Sequence, residues 1–245
     1  MKAKFNLMTD STCDFSIQDI ERSGLTFLPF TYTEAGKPDG GLSGLDDLFQ
    51  SMSAHDFYER IRWGATPKTS QPSQLVYEEA FRKAAELDVP TVLMTISSGI
   101  SGGYNGACTA LDRVQEELGR ELPIYIVDTL LASTSFYLLL EEGVRQRDRG
   151  VTAEEFVRWA EDARYHVWTI FMVDNLDTLH RGGRIPKSVA LVSSALDAKP
   201  LLSWKLNGEL TILGVTRGRK KGMRKMKEYY EKHRSQLQYP AVAAI

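Results

Sequence analysis

A strand-like run, Thr91-Val-Leu-Met-Thr-Ile96, leads straight into Ser97-Ser-Gly-Ile-Ser-Gly-Gly103, and a helical pattern begins inside that second segment. Hydroxyls, glycines and unpaired backbone N–H groups at a helix start hold anions, because that end of the helix carries partial positive charge. Ser97, Ser98 and Ser101 are therefore either donors to a ligand or nucleophiles. A nucleophile needs a base within reach of its hydroxyl. The four histidines, His55, His166, His180 and His233, are scattered over loops and helices with no strand-end position. Neither the phosphate loop with its lysine nor Gly-x-Gly-x-x-Gly is present. With neutral donors and the helix dipole alone, the loop suits a singly charged carboxylate at least as well as a polyphosphate. Ser101 is the expected N-cap, with the N–H groups of Gly102 and Gly103 open to a ligand. Capping its own helix is the other reading of that residue.

Other segments belong with this loop. In an open parallel sheet the loops after the strand ends share one edge, and ligands bind there. Thr9–Asp14 and Asp128–Ser135 follow two further expected strands, while prolines keep Thr69-Ser-Gln-Pro-Ser73 extended. Asp10 and Asp14 read as turn or N-cap residues, and no Glu or His complement makes them a metal set with Asp128. No metal and no cofactor is expected. The run Arg217-Gly-Arg-Lys-Lys221, continued by Arg224, Lys225 and Lys227, has three readings. It is a solvated helix face, a docking surface for an acidic or phosphate-bearing partner, or a contact to nucleic-acid backbones. No aromatic residues interleave with it as nucleic-acid binding would want. Arg181 and Arg184, flanking a Gly-Gly turn, could join the same surface.

Composition narrows the field. The chain has 245 residues, 42% hydrophobic and 25% charged, with a net charge of −2, which gives no global attraction for nucleic acid. No apolar run approaches the roughly 20 residues of a membrane span. The N-terminus lacks the apolar stretch of a signal peptide. Cys13 and Cys108 have neither metal-ligand spacing nor disulfide-scaffold density and read as small buried thiols. A cytoplasmic monomer is the default expectation.

Strands at 5–8, 25–32, 91–96 and 123–127 alternate with helices from about 16, over 56–62, after Ser73, from the serine loop, over 133–146 and from the Thr152-x-x-Glu155 capping box. That rhythm predicts a parallel sheet with crossovers. The segment 34–53 reads as an irregular excursion. After residue 165 the pattern changes. A strand at 167–173, a loop or short helix to Arg184 and a helical stretch over 186–196 precede two strands flanking Asn207-Gly208, a strong hairpin signal. A helix to about 237 follows. We therefore expect an α/β fold of two domains: a Rossmann-like parallel-sheet domain over 1–164, and a smaller α/β domain with an antiparallel sheet over 165–245. The last residues, Tyr239-Pro-Ala-Val-Ala-Ala-Ile245, read as a strand just entering the core, so further C-terminal sequence is expected.

Taken together, Thr9–Asp14, Thr69–Ser73, Ile96–Gly102, Val127-Asp128, Arg181–Ile185, Lys199-Pro200-Leu201 and Val215–Lys221 resemble, in order and spacing, the DegV family of bacterial fatty acid-binding proteins. The resemblance implies two α/β domains holding a long-chain fatty acid in a tunnel between them, as a carrier and not an enzyme. The carboxylate would meet hydroxyls carried over as Thr69 and Ser101 first, then Ser70, Ser97 and Ser98. It also implies a partner: a fatty acid kinase subunit to which the bound acid is presented for acyl-phosphate formation in phospholipid metabolism. Arg181, Arg184, Arg217 and Arg219 are then candidates for the kinase-facing surface. Gly103 and Gly106 stand where the family more often has larger residues. The family pattern also ends in a Gly/His/Thr-rich segment beyond Ala241 that this sequence lacks. Phe30, Phe81, Phe136, Leu139, Leu191 and Leu196 are among the apolar residues available to a tunnel, and each equally suits an ordinary core. The alternative from another class is a hydrolase or phosphotransferase using the 97–103 serine loop.

Overall fold

In the computed structural model, which describes residues 3–34, 36, 41–87, 89–186 and 197–234, the first half of the chain forms an open parallel sheet. Its strands are β1 (Asn6–Asp10), β2 (Thr26–Leu28), β6 (Thr91–Thr95) and β7 (Ile124–Asp128), in the order β2-β1-β6-β7. All three pairings are parallel. Strand β6 is buried along its whole length, as a central strand covered on both faces must be.

Helices α3 (Gln74–Glu86) and α4 (Gly103–Leu118) cover one face, where Tyr77, Ala80, Phe81 and Ala84 meet Ala107, Ala110 and Val114 over Met8 and Leu93. The small residues of α4 let the two helices approach closely, and its buried stripe runs through Gly103, Gly106, Ala107, Ala110 and Val114. Helices α5 (Ser133–Asp148) and α6 (Ala153–Ala163) bring Phe136, Leu139 and Phe156 to the core, with Phe156 against Phe5 at 5.0 Å between ring centroids. Helix α6 opens with the expected Thr152–Glu155 capping box. Of the other elements here, α1 spans Ile17–Ser23 and α2 spans Ala54–Arg62.

A second sheet appears where the sequence suggested an irregular excursion. Strands β3 (Thr31–Thr33), β4 (Ser43–Leu45) and β5 (Lys68–Ser70) pair antiparallel in the order β4-β3-β5. These three-residue strands carry too little periodicity to be read from sequence, and a buried carboxylate holds them. Glu34 accepts from the Leu42 N–H at 3.2 Å and from the Thr66 N–H at 3.1 Å, clamping the approaches to β4 and β5.

The chain divides into two units, Met1–His166 and Val167–Ile245. In the second, β8 (Phe171–Met172), β9 (Ala198–Trp204) and β10 (Leu210–Arg217) form an antiparallel sheet ordered β10-β9-β8. The strand expected over 167–173 is thus reduced to two residues. The Asn207-Gly208 hairpin forms, closed by Lys205 N–H to Glu209 O at 2.8 Å, with Gly208 at φ +76° as a three-residue loop requires. Short α7 (Asp177–Arg181) precedes the Gly-Gly turn, and α8 (Arg219–Arg234) follows β10. The helical stretch expected over 186–196 lies, Pro186 apart, outside the described residues, as do Leu191, Leu196 and the expected strand from Tyr239.

Candidate functional site

Strand order places the topological switch point between β1 and β6, since the chain winds outward from there in both directions. Open α/β sheets bind ligands outside the carboxyl ends of the strands at this position. Asp10, the last residue of β1, ties the two strand ends together. Its fully buried carboxylate accepts from the Ile96 N–H at 2.7 Å, from the Thr12 N–H at 3.0 Å and from the Thr12 hydroxyl. Burial pushes the Asp10 carboxyl up to about 6, against these hydrogen bonds, which pull it down. Nearby, the Ser11 hydroxyl donates to Asp46 at 2.8 Å and accepts from the Phe30 N–H at 3.1 Å, joining this edge to the segment that leads into β3. Asp10 thus caps the turn that follows it, the role read from the sequence, and Asp128 holds its own loop by accepting from the Ser98 and Leu130 N–H groups.

The serine loop is set by local bonds that separate the three serines. Ser97 is fully buried. Its hydroxyl accepts from the Gly99 N–H at 3.1 Å, and its carbonyl accepts from the Ile100 and Ser101 N–H groups. It pins the turn, and this withdraws it from the proposed ligand contacts. Ser98 is half-buried; its N–H donates to Asp128 Oδ1 at 3.0 Å, and its hydroxyl makes no hydrogen bond among the described residues.

Ser101 is not the N-cap. Helix α4 begins at Gly103 with Gly102 in the cap position, and Gly102 has no side chain to cap with. Ser101 stands one residue earlier and takes the Gly103 N–H at 3.2 Å on its Oγ. The Gly103 N–H is therefore occupied, whereas the Ser101 hydroxyl proton remains available to an acceptor. No acidic residue stands in the first turn to offset the positive end of this helix.

Thr69 and Ser70 lie exposed on β5, in register with Tyr32 and Thr31, and their hydroxyls are unpaired among the described residues. What brings this segment to the serine loop is Gln71, which the sequence reading passed over. A Cβ on Gly102 would collide with Gln71 Oε1, and one on Gly106 with Gln71 Nε2. The two glycines, four residues apart and so on one helix face, form a cradle for the amide. Gln74 adds a second tie, donating to Gly106 O at 3.0 Å. The pair of small residues at i and i+4 was the available signal for a close approach.

A second residue was also missed. Arg164 donates to the Asp128 backbone carbonyl at 2.6 Å, placing a cation at the end of β7. The segments 9–14, 69–73, 97–103 and 128–135 contain no Lys or Arg of their own. Three non-glycine residues adopt left-handed backbone near this edge, Asp14 (φ 57°), Leu130 (φ 56°) and Ser133 (φ 54°), with Ser133 hydrogen-bonded to Asp14. Strain of this kind persists where surrounding contacts over-determine the backbone. The residues Gly99-Ile-Ser-Gly-Gly103 spell Gly-x-Ser-x-Gly, but Ser101 lacks the positive φ of a nucleophile elbow. Both cysteines are free thiols; burial pushes Cys13 up to about 12 and raises Cys108, which suits the inert role expected of them.

In the second unit, Arg181, Arg184, Arg217 and Arg219 sit at the end of α7, beside the Gly-Gly turn, at the end of β10 and at the start of α8. Arg181 donates to Thr178 at 3.3 Å and Arg184 to the Gly182 carbonyl. The first turn of α8 carries Arg219 and no acid, the arrangement a helix dipole disfavours.

An open parallel sheet with neutral donors at its switch point defines the chain as an α/β protein. The chain belongs to the DegV family: the family model described as "Uncharacterised protein, DegV family" matches residues 4–245. The DegV domain-containing protein YteA of Lactococcus lactis is 38% identical over 226 residues, covering 91% of this chain and 75% of that one. A fatty acid-binding protein of Thermotoga maritima is 32% identical over 225 residues, covering 90% and 74%. Among solved structures, a stearic acid-binding protein of Eubacterium ventriosum superposes with a TM-score of 0.80 at 28% identity, over 95% of this chain and 78% of that one. Among the described residues, no helix is long and apolar enough to cross a membrane, and no group of three or more His, Cys, Asp or Glu could hold a metal.

Proposed function

We propose that this chain is a non-enzymatic carrier of a long-chain fatty acid, with the carboxylate held by Ser101, Thr69, Ser98 and Ser70. The observation that carries this reading is the Gln71 cradle. It ties the segment that follows β5 to a helix start whose dipole is uncompensated, which supports a site where neutral donors from two segments share one anion. A carboxylate fits such donors better than a polyphosphate, which would call for lysine or arginine within these loops. Relatives that bind fatty acids point the same way. A hydrolase would need a base at a loop serine, and among the described residues His166 of the first unit instead stands 3.5 Å from Asp162.

Presentation of the acid to a partner kinase belongs to the same proposal, with Arg181, Arg184, Arg217 and Arg219 as the docking surface. It rests on the family resemblance and on the exposure of Arg181, Arg217 and Arg219, with Arg184 half-buried close to Arg181 in sequence. Extraction of the purified protein with organic solvent, followed by mass spectrometry, tests the carrier reading. Near-stoichiometric fatty acid is the expected result. No acid in the extract, together with esterase activity that is lost in Ser101→Ala, would replace the carrier with a hydrolase.

A further inference from the structure

Tyr77 on α3 presents the least explained polar atom of the first unit. The residue has 0% exposure, yet its hydroxyl has no hydrogen-bond partner among the described residues. An unsatisfied buried hydroxyl is disfavoured, and phenylalanine would fill the same space without it. The hydroxyl is aimed at the first turn of α4: it lies 3.5 Å from the point where a Cβ on Gly103 would stand. Ser101 Oγ lies 3.5 Å from that same point. Two hydroxyls thus border the space that a side chain at position 103 would enter, the second of them the favoured carboxylate donor. Burial, and after it the neighbouring Asp10, raises the Tyr77 phenol, so it remains a donor.

We propose that Tyr77 is a positioning residue for the ligand carboxylate, donating its hydroxyl to Ser101 Oγ when Ser101 turns its own proton toward the acid. Ser101 Oγ has two acceptor sites and one proton. The Gly103 N–H uses one acceptor site, and Tyr77 fills the second. Each acceptance polarises the Ser101 O–H and strengthens its donation to a negative oxygen, as hydrogen bonds in series do. No proton changes owner. The role deepens the carrier reading and rests on it. It also gives Gly103 a reason beyond helix packing: a methyl group there would touch both hydroxyls at ordinary contact distances and take up space they would need to meet.

The test is calorimetric titration of the delipidated full chain with palmitate and with oleate, for the wild type, Ser101→Ala, Tyr77→Phe, Gly103→Ala and the Tyr77→Phe/Ser101→Ala double variant. Tyr77→Phe is expected to bind about five- to tenfold more weakly, the range of one hydrogen bond, with a melting temperature equal to or above the wild type because an orphaned hydroxyl is gone. Gly103→Ala, which keeps both hydroxyls, should lose affinity in the same direction and fold normally. In the Ser101→Ala background, Tyr77→Phe should cost nothing further. The carboxyl 13C resonance of bound palmitate should shift in Tyr77→Phe, which a merely structural role would not produce. If Ser101→Ala weakens binding but Tyr77→Phe and Gly103→Ala do not, or if the Tyr77 and Ser101 effects add, the positioning role is overturned and the carrier reading stands. If Ser101→Ala itself binds like the wild type, the positioning role falls together with the Ser101 contact, and the carrier reading falls only if the wild type binds neither acid.

Discussion

The polar residues at the sheet edge of the first unit and those of α8 in the second are built in opposite ways. At the sheet edge, buried carboxylates are saturated with backbone donors, and the hydroxyls left free are neutral and few: Thr69, Ser70, Ser98 and the proton of Ser101. Along α8 the charges include exposed pairs one turn apart, Lys225 with Glu228 at 2.9 Å and Lys227 with Glu231 at 3.6 Å. Exposed pairs of that kind contribute little to stability and are screened by salt. The contrast separates two tasks. On the proposed function, fixed neutral donors would select one anion by geometry, whereas an exposed cationic surface would attract an acidic partner by charge and leave selection to that partner.

Perturbing Asp10 should produce the largest effect. Asp10→Ala removes the acceptor for Ile96 and Thr12 and should destabilise by about 3 kcal/mol, the cost of stranding buried donors. The pH dependence carries a sign. Because burial raises the folded-state carboxyl to about 6 from an ordinary 3.8, the folded state holds the proton more tightly than the unfolded chain. Stability contributed by this group is full below pH 3.8 and lost as pH rises to about 6, by about 3 kcal/mol for two pK units. Denaturation curves of wild type and Asp10→Asn between pH 3.5 and 7.5 should converge in that direction, the wild type losing its advantage as pH rises.

Ser101→Ala comes next. Loss of a hydrogen bond to a charged group should weaken fatty acid binding by about tenfold or more, with a smaller loss of stability from freeing the Gly103 N–H. Gly106→Ala should follow. The methyl displaces the Gln71 amide, so affinity should fall a few-fold, while the gain in helix propensity of up to about 1 kcal/mol offsets the packing cost. The mildest effect on the fold should come from Arg217→Glu/Arg219→Glu. Acid in the first turn of α8 suits its dipole, so melting temperature and fatty acid affinity should hold while co-purification with a fatty acid kinase subunit is lost.

How much of this was legible depended on the range of the contacts. The apolar run 91–96, the Thr152–Glu155 box and Asn207-Gly208 are local signals, and β6, α6 and the β9–β10 hairpin stand where they point. Ser101 was misplaced by one position because the glycines after it leave the true cap without a side chain. The sheet of β3, β4 and β5 escaped because its strands are three residues long and its clamp, Glu34, reaches eight and thirty-two residues along the chain. Gln71 was hidden for the same reason: only the fold brings it to Gly102 and Gly106. Arg164 belongs to no motif, and Ser97 differs from Ser98 only in which way its hydroxyl turns.

The central claim is that one carboxylate is held where β5 meets the serine loop. The direct measurement is palmitate affinity, by calorimetry on delipidated protein, for the wild type and the Thr69→Ala/Ser101→Ala double variant, with circular dichroism to verify the fold. The account predicts one acid per chain in the wild type and binding weakened by about a hundredfold in the folded double variant, as expected for two charged hydrogen bonds. A folded double variant that binds palmitate as tightly as the wild type would contradict it.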